Sequence, residues 1–402
     1  MNARSADAVN ALAETVDAAL IEALTIALVE TPSVNPGGTE AAAAAVLAQA
    51  CSEAGFTVTV TEAAPDRPNV LATMTDAGSG PGLLLLGHSD VVPAGPDWTG
   101  DPFVVRRDGD RLIGRGTADM KGGLASAVAA MAALARAGEF GIELSGPVHL
   151  LATADEEEHG AGVRHFVAEP PPLEFAGAIV AEPTGLQVVR GCRGASYLDI
   201  EITGRAAHSG RPADGRSAIE AAAAVIDLIG QDQAVMAAQS DPLLGFGTWN
   251  VGVIDGGQGI SVVAPNCYLG VDRRLMPGES IAVIAQDLGD AISAAEIDTD
   301  GIGVTLRPTM EMPGFATDED HPLVRAVAAA VTDSGATTSI GGWTAACDGG
   351  FISRDLGVPT VVMGPGDING QAHQPDESVS VTELVTAARA YVRAAVSLLC
   401  TP

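Results

Sequence analysis

His88, Asp119, Glu157, Glu182 and His373 each stand at or just beyond the end of a short apolar run. Two imidazoles and three carboxylates are a suitable ligand set for two divalent ions that share one bridging carboxylate. That chemistry is metal-assisted hydrolysis. Carboxylates gathered so closely repel one another and raise their own pKa values unless a cation neutralises them. Mixed histidine and carboxylate donors suit zinc, with cobalt or manganese as substitutes. In His88-Ser89-Asp90 the first and third side chains point to the same side of an extended segment. Asp90 is thereby placed to hold the ring N–H of His88 and fix which nitrogen meets a metal.

The elements that must carry these residues follow from the apolar pattern. In open α/β sheets, ligands bind outside the carboxyl ends of the strands. His88 follows Leu83 to Gly87, Asp155 to Glu158 follow Val148 to Ala154, and Glu182 follows Ala178 to Ala181. His373 comes soon after Thr360 to Met363 and a Gly364-Pro365-Gly366 turn. One sheet edge is expected to gather them all. Helices are predicted over Val9 to Glu30, Thr39 to Ala54 (capped by Gly55), Gly122 to Ala137, Pro322 to Asp333 and Thr382 to Leu399. Further strands are predicted at Thr57 to Val60 and Val70 to Met74.

Between Val188 and Pro308 the texture changes. Tyr197 to Thr203 and Cys267 to Asp272 alternate as half-exposed strands, and Ser217 to Ile229 reads as a helix. The expectation is an α/β protein with a discontinuous catalytic domain, residues 1–187 and 309–402, built on a mixed, largely parallel sheet between helices. A smaller α+β domain, residues 188–308, is inserted into it.

Composition sets limits. At 402 residues the chain exceeds what one hydrophobic core usually holds. A net charge of −30 argues against nucleic acid or an anionic membrane as a partner, and no apolar run is long enough to span a bilayer. The five cysteines, Cys51, Cys192, Cys267, Cys347 and Cys400, are scattered without a C-x-x-C pair, which suits reduced thiols in a cytoplasm. The N-terminal residues read as a first helix and not as a signal peptide. His149, His159, His165 and His321 are assigned to structure or surface, and Glu158 to solvent.

Five motifs resemble one family. They are Gly87-His88-Ser89-Asp90-Val91-Val92-Pro93, Gly114 to Gly122 around Asp119, Ala154-Asp155-Glu156-Glu157, Ala181-Glu182-Pro183-Thr184 and Ala372-His373-Gln374-Pro375-Asp376-Glu377. Together they are similar to the di-zinc amidohydrolases and exopeptidases, which include acetylornithine deacetylase, succinyl-diaminopimelate desuccinylase, aminoacylase and carboxypeptidase G. The resemblance implies that Asp119 bridges two metals, that His88 and Glu182 complete one site, and that Glu157 and His373 complete the other. It implies Glu156 as general base and Asp90 as the residue orienting His88. From the insert it implies His208 at the oxyanion, commonly of a partner subunit, and Arg274 on a substrate carboxylate. It further implies a homodimer formed through the insert, which then serves as a dimerisation or lid domain.

Two departures bear on substrate. Ser261 stands where many relatives carry a substrate-contacting asparagine, and Gly350 where desuccinylases typically show an arginine. Gly364 to Asn369, leading into His373, looks most like acetylornithine deacetylase. The leading expectation is hydrolysis of the amide of a small N-acyl amino acid, with a water whose pKa a divalent metal lowers to about 7. A dipeptidase or carboxypeptidase of the same family is the alternative. A catalytically silent metal- or ligand-binding scaffold is the alternative of another class.

Overall fold

The structure, a computed structural model, describes residues 3–75 and 77–400. The chain divides into two compact units. One comprises Met1–Gly191, Ala316–Gly341 and Phe351–Pro402; the other comprises Cys192–Phe315 and Gly342–Gly350.

The first unit is built on a mixed sheet. Its strands run in the order Thr57–Ala64, Arg67–Thr73, Val148–Thr153, Gly82–His88, Phe175–Val180, Thr360–Val362 and Val188–Cys192. Four neighbours, from Val148–Thr153 to Thr360–Val362, are mutually parallel. Both central strands, Gly82–His88 and Val148–Thr153, are buried along their whole length, which is why they read as unbroken apolar runs. The helix Gly122–Leu134 is almost entirely buried and packs against Ala18–Val29 and Val381–Leu399. The expected α/β class with a largely parallel sheet between helices holds. The parallel strands deliver Thr153, His88, Val180 and Val362 to one common edge.

One predicted helix is two. Val9 to Glu30 breaks between Ala3–Ala13 and Ala18–Val29. Asp17 caps the second helix by accepting hydrogen bonds from the Ala19 and Leu20 N–H groups. That local bond competes with helix continuation and wins, because an aspartate is better satisfied at an N-cap than in a helix interior.

The second unit is a four-stranded antiparallel sheet in the order Thr248–Gly256, Asn266–Arg274, Ala195–Thr203, Gly303–Met312. Leu198, Ile200, Ile202, Leu269 and Val271 bury one face against the helices Ala218–Ala237 and Ile281–Ala294. On the other face Tyr197 and Glu201 are exposed. The period-two pattern of Ala195–Thr203 follows from this one-sided burial. No helix among the described residues is long and apolar enough to cross a membrane.

Helix Gly122–Leu134 reaches the sheet so closely that a Cβ on Gly123 would run into the carbonyl oxygen of Ala181, next to Glu182. Gly123→Ala is therefore expected to destabilise the fold by about 1–3 kcal/mol. Gly138→Ala, where a Cβ meets open space, is the control. Denaturant melts of the two variants check this, and equal stabilities would contradict it.

Candidate metal centre

Each parallel strand ends in chemistry. His88 is the last residue of its strand, Asp155 to Glu157 follow Val148–Thr153, and Glu182 follows Phe175–Val180. His373 arrives from the loop after Thr360–Val362. Asp119 is supplied by the segment Thr117–Lys121, just ahead of helix Gly122–Leu134.

Asp119 lies between the two imidazoles. His88 Nε2 is 3.2 Å from its Oδ1, and His373 Nε2 is 3.4 Å from its Oδ2. Glu182 Oε1 is 3.4 Å from His88 Nε2, and Glu157 Oε2 is 3.1 Å from His373 Nε2. Ligand atoms of His88, Asp119 and Glu157 lie within 4.8 Å of one another, as do those of His88, Glu156 and Glu182. The structure thus brings together all five sequence-predicted ligands and Glu156. Glu158 is half-buried and belongs to neither group, and His159 is exposed.

The electrostatics are those of a site built for cations. Burial opposes charge on His88, yet Glu182, Asp119 and Asp90 outweigh it and hold the imidazolium well above its ordinary range. Hydrogen bonds to Asp119 and Glu157 push His373 up to about 10. Asp119 is buried, which alone would raise its pKa, but bonds from His373 and His88 hold it below the usual carboxylate range. Burial and then the Asp119 charge push Glu157 up. Its Oε1 is buried with no hydrogen-bond partner, and an unpartnered carboxylate oxygen among imidazoles and acids is free to ligate a cation. The residues fit a divalent ion, and their donor set suits two.

Asp90 ties these parts together. The His88 ring nitrogen Nδ1 lies 3.0 Å from the Asp90 carbonyl oxygen and 3.5 Å from its carboxylate. The same carboxylate accepts the backbone N–H of Glu156 and of Glu157, each at 3.2 Å. Asp90 is fully buried, yet these donors hold its pKa down.

Residues 84–397 match the family described as Peptidase family M20/M25/M40. The chain belongs to that family. Among its relatives, the acetylornithine deacetylase of Salmonella arizonae is 34% identical over 361 residues, covering 87% of this chain and 90% of that protein. That of Klebsiella pneumoniae is 35% identical over 328 residues, covering 80% and 82%. An M20 family metallo-carboxypeptidase from Sulfolobus solfataricus shares the fold with a TM-score of 0.77 at 19% identity, over 94% of this chain and 99% of that one. A Bacillus subtilis protein described as a dinuclear metal binding peptidase of family M20 superposes with a TM-score of 0.71 at 15% identity, over 95% and 98%. This M20 chain is an amidohydrolase of the metallohydrolase type.

Two residues expected at the site lie in the second unit. His208 is exposed, its Nδ1 accepting the Gly210 N–H at 2.9 Å. Arg274 is half-buried at its strand end, with Nε 3.1 Å from Asp272 Oδ1.

One M20 residue was not singled out from sequence. Glu377, fully buried, accepts the N–H of Ala118 at 2.8 Å and of Asp119 at 3.0 Å with one oxygen. With the other it accepts the Gly116 N–H at 3.0 Å and Arg115 Nη1 at 2.6 Å. The loop that carries His373 is thereby tied to the loop that carries Asp119. Lys121, the sole lysine, adds a second tie by donating to the carbonyls of Leu28 and Thr31; burial brings its pKa down to about 7. In sequence Glu377 shows only as the last residue of the Ala372 to Glu377 motif, with nothing to mark its partners. Glu377→Gln puts an N–H₂ where two donors already converge and leaves Arg115 without its counter-charge. It is expected to cost about 3–5 kcal/mol in a denaturant melt; a loss below about 1 kcal/mol, the level of an exposed pair, would contradict this anchoring.

Proposed function

We propose that this M20 protein hydrolyses the amide bond of a small N-acylated amino acid in an acetylornithine deacetylase-like reaction. The observation that carries the reading is Asp119, whose two carboxylate oxygens face two different imidazoles, with Glu156 grouped beside His88 and Glu182. In this reading His88 and Glu182 would hold one divalent ion, Glu157 and His373 would hold the other, and Asp119 would be shared between them. Zinc is the proposed metal, with cobalt or manganese as substitutes. When bound, the ions supply Lewis acidity, which makes water nucleophilic near neutral pH and draws charge off the scissile carbonyl.

The protein's own groups do the rest. Glu156 takes the proton from the attacking water and delivers it to the leaving nitrogen, so the amide and water become a carboxylate and an ammonium. Asp90 keeps the base in place through the two backbone N–H groups it holds, and keeps His88 in one orientation. Arg274 is assigned to the substrate carboxylate, for which its planar fork is suited, and His208 to the oxyanion. The insert, expected at residues 188–308 and found as the unit Cys192–Phe315 with Gly342–Gly350, is assigned to dimer formation, and the other unit, expected at residues 1–187 and 309–402, to catalysis.

Gly350 supports a deacetylase over a desuccinylase. A Cβ there would collide with the Pro313 carbonyl oxygen, so the backbone leaves no room for the arginine that desuccinylases typically place at this position. All five cysteines are free thiols, which supports a reducing, cytoplasmic setting.

The test is hydrolysis of a panel of N-acetyl, N-succinyl and N-formyl amino acids and dipeptides by chelated protein reloaded with zinc, cobalt or manganese. Metal-dependent turnover of an N-acetyl amino acid is expected, and turnover of dipeptides alone would reassign the protein as a peptidase. Glu156→Gln is expected to lower kcat by about 100- to 10,000-fold while keeping its metal. Arg274→Ala is expected to raise KM about 10- to 100-fold, in line with a charged hydrogen bond worth ~1.5–3 kcal/mol. A scaffold without catalysis would show no turnover with metal still bound.

A further inference from the structure

Glu156 and Glu157 sit just after Asp155, a residue in the left-handed region at φ 67°. That conformation is uncommon outside glycine, and aspartate is among the residues that tolerate it best. Here every polar group of Asp155 is engaged. Its N–H donates to Glu40 Oε1 at 3.2 Å, and its carbonyl accepts from His159 and Gly160. Oδ2 accepts the Ala161 N–H at 3.3 Å, while Oδ1 accepts Asn35 Nδ2 at 2.9 Å and Arg67 Nη1 at 3.1 Å.

Arg67 is the hub of this arrangement. Besides Asp155, its Nη1 donates to Glu40 Oε1 at 2.7 Å and its Nη2 to Asn35 Oδ1 at 3.0 Å. Asn35 in turn donates from Nδ2 to Asp90 Oδ2 at 2.9 Å. Three buried carboxylates, on Glu40, Asp90 and Asp155, therefore meet around one guanidinium and one amide. Burial and the Asp90 charge push Glu40 up to about 7, as uncompensated negative charge in this region would. Arg67 contacts neither Glu156 nor any of the five candidate ligands in these hydrogen bonds. It lies at the start of strand Arg67–Thr73, and its side chain is 20% exposed, so one side opens to solvent.

We propose that Arg67 is a positioning residue for the turn that presents Glu156 and Glu157. Its fork fixes Asp155 and Asn35 at once, so that Asp155 sets the backbone direction and Asn35 sets the Asp90 carboxylate onto which the Glu156 and Glu157 N–H groups dock. A lysine places a single point charge and cannot span Glu40, Asp155 and Asn35 together. The inference rests on the reading of Glu156 as general base and Glu157 as metal ligand.

The experiment compares Arg67→Ala, Arg67→Lys and Glu156→Gln for kcat, KM, metal ions bound per chain, thermal midpoint and response to added guanidinium. For Arg67→Ala, kcat is expected to fall by about 100-fold, the loss that a misplacement of about 1 Å produces. KM should match the parent, any loss of metal should be confined to the ion that Glu157 helps to hold, and millimolar guanidinium should restore kcat several-fold by entering from the open side. Arg67→Lys is expected to recover little, and Glu156→Gln should not respond to guanidinium. Parent-like kcat in Arg67→Ala overturns the proposal. So does a fall in kcat accompanied by lost metal and a lowered midpoint without rescue, because Arg67 would then serve the fold as a whole. Parent-like kcat in Glu156→Gln instead removes the general-base reading, whatever Arg67→Ala does.

Discussion

Negative charge that must be shared in a dry place is the constraint on which the rest of the structure depends. Asp119, Glu157, Glu182 and Asp90 meet at the carboxyl edge of one buried sheet, and their mutual repulsion is tolerable only with cations between them. His88 and His373 occupy the gaps, each within hydrogen-bonding range of two carboxylates. That crowding explains why so much backbone is pinned around it. Glu377 holds the loop of Asp119, Asp90 holds the turn of Glu156 and Glu157, and Arg67 holds the turn through Asp155 and Asn35. A carboxylate displaced by about 1 Å loses most of its value, and the turns that carry Asp119, Glu156 and Glu157 are fixed by bonds made from distant parts of the chain.

His88, Glu156, Glu157 and Glu182 were legible in sequence because each follows a strand whose buried residues write an apolar run, whereas Asp119, ahead of a helix, was legible only through its motif. Leu83 to Leu86 ahead of His88, and Ala178 to Ala181 ahead of Glu182, announce both the strand and the edge at which it ends. The supporting residues were not legible. Arg67, Asn35 and Glu40 carry no pattern, Glu377 shows only as the end of a motif, and their partners lie far away in sequence, 262 residues in the case of Glu377 and Arg115. Only tertiary folding brings them together. The second unit was read in part for a related reason. Ala195–Thr203 is a central strand with one buried face and alternates cleanly, whereas the edge strand Thr248–Gly256 is exposed or half-exposed throughout, so its short alternation at Trp249, Val251 and Val253 is a weaker signal. The first helix was over-extended because apolar periodicity carries no sign of an aspartate that prefers to cap.

Family membership and local geometry constrain substrate from two directions. Relatives aligned over most of the chain are acetylornithine deacetylases, while solved structures with the same fold include a carboxypeptidase. The metal-facing residues are compatible with either reaction, since both cleave an amide. At Gly350 the backbone itself excludes a side chain. The net charge of −30 is compatible with a small substrate and disfavours a polyanionic partner.

Two metal ions sharing Asp119 would leave a countable signature. Titration of chelated protein with cobalt(II), followed by absorption and by counting ions bound per chain, reads it. Two ions per chain are expected in the parent, and loss of the two-ion end point in Asp119→Ala. Saturation at a single ion in the parent, or two ions retained by Asp119→Ala, would contradict it.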